Sequence, residues 1–330
     1  MAVIEVAGCA TAELVYCSDI PPLLQVGQVP IIQLGGRQLV WRKHVQSGSF
    51  GDVHELYDAT DATSYAWKRV DMTAAGFMLQ NKGSTLTPED ESQILLRLTH
   101  PNIIKLTHAW VSHHRMSLIM EMCKEDLLCL LLRDGAMNRT CARGSMNQLL
   151  DALAYLQNKG IAHRDVKLEN LLVAASEQRP PNLKLCDFGL ARQCGRLLGC
   201  ATYIGSADYL APEVRIRDVG REYGFACDIW SCGVVAYVLL IAESPYAEEE
   251  DLSSRSQGRL VPDVRLHAGG HPTPASFIQA CMSVLPTERK NPVELSQMLW
   301  DGSDILTSFP RHHVHIETEC ERLGIRCEPS

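Results

Sequence analysis

The strongest constraint in this sequence is the octapeptide His-Arg-Asp-Val-Lys-Leu-Glu-Asn at residues 163–170. It follows an apolar pattern of helical period over residues 146–156. Acidic Asp165, basic Lys167 and the amide Asn170 lie within six residues of one another. Three kinds of polar side chain so close together after a helix favour a reactive loop, and the alternative is a solvated helix-to-strand loop.

Four further motifs surround this loop in a fixed order. They are residues 45–53 (VQSGSFGDV), 65–68 (YAWK), 187–189 (DFG) and 211–213 (APE). The DFG tripeptide is common by chance, but it begins 17 residues after Asn170, and APE begins 22 residues after Gly189. The ordered set resembles the catalytic domain of eukaryotic-type serine/threonine protein kinases over about residues 40–300.

The resemblance implies an α+β, bilobal protein-kinase-like fold, with a small antiparallel β lobe and a larger helical lobe. The expected parts are a leader at 1–36, a kinase domain at 37–310 (small lobe about 37–121, large lobe about 122–310) and a tail at 311–330. Proline and glycine pairs in the leader predict an extended or loosely packed segment. We expect Ser145 to cap the helix before the octapeptide.

The resemblance also assigns roles within the octapeptide. Asp165 would accept the proton of a substrate hydroxyl, and Lys167 would neutralise the migrating γ-phosphoryl group of ATP. Asn170 and Asp187 would offer oxygen ligands to Mg²⁺, a cation that prefers oxygen. A lysine two residues after the aspartate resembles the serine/threonine kinases rather than the tyrosine kinases.

Residues 45–53 resemble the kinase loop that covers the ATP phosphates. Glycine allows close backbone approach and positive φ, and Gly48 and Gly51 provide it here, whereas Gln46 stands where the family has its first glycine. The residues expected to contact ATP are Gln46, Ser47, Gly48, Ser49, Phe50, Gly51 and Val53. A plain Gly-Ser hairpin turn is the alternative.

Lys68 and Glu91 form the predicted ion pair. By resemblance, Ala66 lies above adenine and Lys68 reaches the α- and β-phosphates. Thr87 and the residues after it predict a helix start, and helical spacing places Glu91 on a face that is otherwise apolar. The family spacing makes Glu91 the partner of Lys68, and an exposed glutamate is the alternative.

Residues 117–123 resemble the strand and hinge that join the two kinase lobes. The adenosine-contacting residues expected here and beyond are Met120 (the gatekeeper), Glu121, Cys123 (the central hinge amide), Asp126 (ribose) and Leu172 (the floor beneath adenine). A methionine of the plain core is the alternative for Met120.

Three supporting contacts are expected from the resemblance. Asp228 would accept backbone N–H groups of the catalytic loop, and Arg289 would pair with Glu213. Phe188 would pack beneath the helix that carries Glu91, beside Leu95.

The resemblance makes Thr202 the candidate for regulatory phosphorylation by an activating kinase, because it lies four residues before Ser206 in the segment between DFG and APE, the spacing at which many related kinases are phosphorylated. A phosphate there could dock onto Arg164 and Arg192. By the same resemblance Ser206 would hydrogen-bond Asp165 and Lys167, and a simple turn serine is the alternative.

The amino-acid composition limits which partners and locations we expect for this chain. The formal charge is −8, from 31 Lys and Arg against 39 Asp and Glu, which argues against nucleic acid and anionic lipid. The longest apolar run, at 229–242, is shorter than the ~20 residues of a spanning helix. Thirteen cysteines without a C-x-x-C pair, and a start without a basic region, predict reduced thiols and an intracellular, cytoplasmic and/or nuclear location.

The function predicted from these observations is transfer of the γ-phosphoryl group of ATP to Ser or Thr hydroxyls of proteins. Leu210 just before APE argues against proline-directed substrates, and Glu169 matches an acid that contacts substrate arginine. Two alternatives remain. One is a pseudokinase scaffold that binds nucleotide, motivated by Gln46 and Trp67. The other is a small-molecule kinase, which usually lacks the APE framework.

Overall fold

We describe the chain from a computed structural model that covers most of two lobes. The described residues are 2–6, 14–16, 30–34, 36–48, 51–81, 87–112, 114–174, 179–193, 207–215, 224–245 and 273–300. Ser49, Phe50, Thr202, Ser206 and the predicted tail lie outside them.

An eight-stranded sheet forms the small lobe. Its elements are β1 (Ala2–Val6), β2 (Leu14–Tyr16), β3 (Pro30–Leu34), β4 (Arg37–Gly48), β5 (Gly51–Asp58), β6 (Thr63–Asp71), α1 (Met72–Asn81), α2 (Pro88–Leu95), β7 (Leu106–Ser112) and β8 (Arg115–Glu121). The strand order is β1-β3-β4-β5-β6-β8-β7-β2. The pairs from β3 to β7 are antiparallel, and only the edge pairs β1–β3 and β2–β7 are parallel.

Part of the expected leader belongs to this sheet. β3 pairs with β4, and Ile32 and Leu34 are buried. They join an outer-face cluster whose other members are Leu39, Leu56, Trp67, Trp110 and Ile119. Residues 30–34 are therefore extended, which was one of the two expectations, but they are not loosely packed, because the side chains of Ile32 and Leu34 are buried in this cluster. Strand alternation places Trp67 on the outer face of the sheet, opposite Lys68.

Helices and short strands form the large lobe. Its elements are β9 (Cys123–Asp126), α3 (Leu127–Asp134), α4 (Arg139–Asn158), β10 (Ile161–Ala162), β11 (Leu171–Ala174), β12 (Leu183–Leu185), β13 (Arg192–Gln193), α5 (Pro212–Arg215), α6 (Ala226–Ile241), α7 (Pro274–Cys281) and α8 (Pro292–Gln297). Strands β9, β11 and β12 form a small antiparallel sheet behind the cleft. The bilobal, α+β architecture predicted from the sequence is confirmed.

The helix before the octapeptide starts earlier than predicted. Asn138, not Ser145, is its N-cap, and the Asn138 side chain accepts a hydrogen bond from the backbone N–H of Cys141 at 2.9 Å. Ser145 is buried within α4. The polar first turns hid this start from the hydrophobic pattern, although asparagine is a common N-cap residue.

One large apolar core runs from α2 and β8 through α4 and α6 to α7. Gly233 on α6 lets α7 approach closely, since a Cβ atom there would lie 2.7 Å from the Cβ of Cys281. Within the described ranges, no helix has both the length and the apolar character to cross a lipid bilayer. All seven cysteines of those ranges are free thiols.

Candidate active site

Asp228 on α6 fixes the start of the octapeptide. Its two carboxylate oxygens accept the backbone N–H groups of His163 and Arg164, at 2.8 and 2.7 Å. Arg164 adopts a left-handed conformation with φ of 70°, which is uncommon for a residue with a side chain. Burial raises the pKa of Asp228, while the neighbouring His163 and the two N–H groups oppose this rise. The predicted role of Asp228 as a buried acceptor is confirmed.

The ring of His163 joins the octapeptide to the DFG segment. Its Nε2 lies 3.0 Å from the carbonyl oxygen of Cys186, and its Nδ1 lies 3.3 Å from the backbone nitrogen of Asp165. A neutral ring with its proton on Nε2 satisfies both contacts. The ring also meets Phe188 edge-to-face, with centroids 4.7 Å apart. Phe188 and Leu95 are both buried in the same large core, and their direct packing stays a prediction.

Asp165, Lys167 and Asn170 come together at the mouth of the cleft. The Oδ2 atom of Asp165 lies 3.1 Å from the Lys167 ammonium and accepts a 2.9 Å hydrogen bond from the Asn170 amide nitrogen. That nitrogen also donates to the Asp165 backbone oxygen at 2.8 Å. Burial alone would lower the pKa of Lys167, but Asp165 and Glu169 outweigh it and raise that pKa. The carboxylate is thus held in one orientation by two donors.

Lys68 lies between two carboxylates. Its ammonium is 2.7 Å from Oε1 of Glu91 and 3.1 Å from Oδ1 of Asp187. The predicted Lys68–Glu91 pair is confirmed, whereas the contact with Asp187 was not predicted, because 119 residues separate the two in sequence. Asp187 has a φ of 60°, which is uncommon for a residue with a side chain.

This cluster contains one basic group, Lys68, and two acidic groups, Glu91 and Asp187. Burial would lower the pKa of Lys68, but Asp187 and Glu91 together raise it above its ordinary value. The positive charge of Lys68 lowers the pKa of Asp187. Burial raises the pKa of Glu91, and Lys68 offsets that only in part. One ammonium therefore faces two acidic groups, an arrangement that favours a further cation.

Asp187 and Asn170 fit the donor set of a magnesium site. The backbone N–H of Cys186 donates to the Asn170 carbonyl oxygen at 2.9 Å, which brings the two segments side by side. Among the described residues, the hydrogen bonds of the Asn170 side chain use only its nitrogen, so its amide oxygen is left for a cation. Carboxylate and amide oxygens are hard ligands of the kind that Mg²⁺ prefers.

The phosphate-covering segment is a β-hairpin of β4 and β5. Gln46 pairs with Val53, and Gly48 pairs with Gly51 at the end of the described strands. Gly51 is needed for a close approach, since a Cβ atom there would lie 1.8 Å from the Arg69 carbonyl oxygen. Ser47 donates a 2.8 Å hydrogen bond from Oγ to Asp52 on the opposite strand. The replacement of the first glycine by Gln46 leaves the strand pairing in place.

Neighbouring strands carry the other predicted nucleotide residues. Ala66 on β6 pairs with Met120 on β8, and Val53 pairs with Lys68, so these four positions meet at the centre of the sheet. Leu172 on β11 pairs with Asp126 on β9.

The hinge contains a contact that the sequence did not reveal. The Glu121 carboxylate lies 3.0 Å from the Lys184 ammonium and accepts a hydrogen bond from the Lys105 backbone at 2.7 Å. Cys123 is buried at the start of β9, and burial raises its pKa to about 12, which keeps the thiol protonated at neutral pH. Asp126 caps α3 by accepting the Cys129 backbone N–H at 2.7 Å. Only the hydrophobic pattern of β12 hinted that Lys184 would face the hinge.

The pair of Glu213 and Arg289 lies deep in the large lobe. Two guanidinium nitrogens of Arg289 contact the two carboxylate oxygens of Glu213, at 2.6 and 2.7 Å. Arg289 also donates to the carbonyl oxygens of Ser283 and Ala226, at 2.8 Å each. This predicted pair is confirmed and ties the APE segment to the helices below it.

The regulatory candidates Thr202 and Ser206 lie outside the described residues, so their roles stay predictions. The same holds for Ser49 and Phe50 at the tip of the hairpin.

The family comparison agrees with this geometry. The model of the protein kinase domain matches residues 40–300, which contain the large lobe, most of the small lobe and all the active-site contacts above, but not β1, β2 and β3. The chain belongs to the protein kinase family. ATP and Mg²⁺ are the general reactants of that family.

Three individual relatives show how similar this chain is to known kinases and how much of each chain the similarity covers. Serine/threonine-protein kinase 33 of Bos taurus is 32% identical over 284 residues, which are 82% of this chain and 57% of the relative. CBL-interacting serine/threonine-protein kinase 1 of Arabidopsis thaliana is 30% identical over 281 residues, which are 83% of this chain and 60% of the relative. Calcium/calmodulin-dependent protein kinase type IV of Mus musculus is 39% identical over 160 residues, 48% of this chain and 33% of the relative. This chain therefore matches less than two thirds of the length of each of these relatives.

Proposed function

We propose that this chain is a serine/threonine protein kinase, which transfers the γ-phosphoryl group of ATP to Ser or Thr hydroxyls of protein substrates. The observation that carries the proposal is the ammonium of Lys68 held between Glu91 and Asp187, beside a catalytic loop in which Lys167 and Asn170 orient Asp165. The serine/threonine names of its relatives support the acceptor class.

In this mechanism the protein positions the reactants and stabilises charge. Asp165 accepts the proton of the substrate hydroxyl, and its two donors, Lys167 and Asn170, hold the carboxylate in one orientation. Lys68 holds the α- and β-phosphates, while Lys167 neutralises charge on the transferred group. Mg²⁺ held by Asp187 and Asn170 would supply electrostatic stabilisation of the phosphate oxygens.

Substrate selection and regulation are finer parts of the same proposal. Leu210 before the APE segment supports substrates that are not proline-directed, and Glu169, at the position of an acid that contacts substrate arginine in related kinases, supports a preference for basic residues. Phosphorylation of Thr202 by an activating kinase is the proposed switch, and the proposed location is intracellular, cytoplasmic and/or nuclear. Acidic net charge supports partners other than nucleic acid and membranes.

The test is labelled phosphate transfer from Mg-ATP to a degenerate Ser/Thr peptide library. Asp165→Asn keeps the shape of the side chain but removes the base, so we expect the rate to fall by about 10²–10⁴-fold. The matched control is Asp151→Asn, since Asp151 is an aspartate on α4 whose side chain is 63% exposed. It should transfer phosphate at the wild-type rate.

Three outcomes would contradict the proposal. Equal rates for the wild type and Asp165→Asn would remove Asp165 from the mechanism. Binding of Mg-ATP by the wild type in a thermal-shift titration, without phosphate transfer by either the wild type or the Thr202→Glu variant, would indicate a nucleotide-binding scaffold. Phosphorylated metabolites in place of phosphorylated peptides would indicate a small-molecule kinase.

A further inference from the structure

A histidine lies behind the phosphate-covering hairpin, on the face of the sheet turned away from the cleft. His54 on β5 pairs with His44 on β4 and with Trp67 on β6. Its ring centroid is 5.3 Å from that of His44 and 5.5 Å from that of Trp67. Neither the catalytic contacts nor the proposed nucleotide contacts use this side chain.

One hydrogen bond fixes the protonation state of His54. The indole nitrogen of Trp41 donates to Nδ1 of His54 at 3.2 Å. Indole N–H is a donor only, so Nδ1 must be unprotonated and the neutral ring carries its proton on Nε2. That Nε2 atom is buried and has no hydrogen-bond partner among the described residues.

Protonation of His54 would therefore break a contact and create none. A proton on Nδ1 would oppose the Trp41 N–H, and the charged ring would have no acceptor at Nε2. The groups that face His54 are mostly basic: Arg69 on β6 and His44 on β4, against one acid, Asp52, on its own strand. The guanidinium of Arg69 lies 4.9 Å from the Trp67 ring, so a positive charge already occupies this surface.

We propose that His54 is an acid-sensitive switch of the phosphate-covering hairpin, in which protonation breaks the Trp41–His54 bond, loosens β4 against β5 and weakens Mg-ATP binding. His54 is next in sequence to Val53, a predicted nucleotide contact. Strand alternation places the side chain of Val53 on the face opposite His54. Ser47 and Asp52 join the same two strands nearer the tip. The part of this inference that concerns Mg-ATP binding rests on the proposed function.

The direction of the pH effect follows from the burial of His54. Burial, with Arg69 and His44, lowers its pKa below the ordinary value of 6.5. The folded state thus binds a proton less readily than the unfolded state. The stability that neutral His54 provides is complete above pH 6.5 and is lost as the pH falls from there towards the lowered pKa.

The experiment compares the wild type with His54→Asn, because the Asn side-chain oxygen can replace Nδ1 as the acceptor for Trp41 and does not titrate. Mg-ATP dissociation constants are measured at about pH 7.5 and at the lowest pH at which the wild type stays folded, because the pKa of His54 in the folded protein lies below the ordinary value of about 6.5. Acidification should weaken wild-type binding about fivefold more than that of His54→Asn, the effect of one net hydrogen bond. Protonation of ATP itself is common to both proteins.

The control variant is His114→Asn. His114 is exposed, in a turn with a φ of 60° that asparagine adopts readily, and it should keep the wild-type pH response. A second variant, Trp41→Phe, removes the donor, so His54 can be protonated without loss of a bond. Its acid transition, followed by histidine NMR signals or by urea unfolding, should move to higher pH than in the wild type.

The outcomes separate this inference from the proposed function. Identical pH responses of wild type and His54→Asn, or an acid transition that Trp41→Phe leaves in place, would overturn the switch while Mg-ATP binding still supports a kinase. Absence of Mg-ATP binding at both pH values would overturn the proposed function and the nucleotide half of the switch together. A shift with Trp41→Phe in unfolding experiments would then still support the Trp41–His54 half.

Discussion

Two buried ion-pair clusters in this molecule differ in how completely protein groups surround their charges. Arg289 and Glu213 form a closed pair: the Arg289 side chain has no exposed surface, both carboxylate oxygens of Glu213 contact it, and carbonyl oxygens accept further N–H groups of the guanidinium. Lys68 forms an open cluster with Glu91 and Asp187, and the Asp187 side chain is 34% exposed at the cleft.

The difference separates a structural pair from a functional one. In the closed pair every charge has a protein partner, so the pair has nothing left to bind and serves to hold two segments together. In the open cluster one ammonium faces two acids, which favours an additional cation, and its exposed side faces the space proposed for nucleotide. Breaking the first pair should therefore affect stability, and breaking the second should affect activity.

The largest effect is expected from Glu213→Ala. It leaves the buried guanidinium of Arg289 without its carboxylate, which should lower the free energy of unfolding by about 3–5 kcal/mol in urea. The matched control is Glu288→Ala, because Glu288 makes an exposed hydrogen bond to Ser283 and its loss should cost less than about 0.5 kcal/mol. Equal losses for the two variants would contradict the closed-pair interpretation.

Lys68→Met should reduce activity more than it reduces the free energy of unfolding. Removing the ammonium should lower phosphate transfer by about 10²-fold or more, because phosphate positioning and charge stabilisation are lost together. The unfolding free energy should fall less than in Glu213→Ala, since Glu91 can take up a proton and Asp187 is partly solvated. Lys43→Met, at a strand lysine that is 68% exposed, should leave the transfer rate unchanged. A Lys68→Met variant that is unfolded would remove the distinction between the two pairs.

Glu91→Gln should have the smallest effect and the most specific pH dependence. We expect transfer to fall about tenfold, a barrier increase of about 1.4 kcal/mol, because Lys68 keeps Asp187 but loses one anchor. Burial raises the pKa of Glu91 above 4.5, so its contribution to stability is complete below that pH and is lost as the pH rises. The variant should therefore gain stability relative to the wild type from about pH 4.5 upwards, by urea unfolding across that range. A gap that narrows as the pH rises would show that ionised Glu91 stabilises the fold.

Local motifs predicted most of the candidate site. The octapeptide fixes Asp165, Lys167 and Asn170 within one loop, so their proximity needs little tertiary information. The Lys68–Glu91 and Glu213–Arg289 pairs span 23 and 76 residues, and the family resemblance, rather than any local pattern, predicted them.

Other contacts were not predicted, because distant segments create them. Lys184 meets Glu121 only because β12 lies next to the hinge, and Asp187 meets Lys68 only because the DFG segment lies next to β6. The start of α4 at Arg139 was missed because its first turns are polar, so hydrophobic periodicity gave no signal there.

The sequence by itself determined the family, the order of the catalytic residues and the two-lobe plan, since these depend on short motifs whose chemistry is local. Tertiary structure alone decided that residues 30–34 join the small-lobe sheet and that Trp41 fixes the protonation of His54. The physical reason is burial. A short apolar strand gains a defined partner, and a titratable ring gains a defined state, only when packing removes both from water.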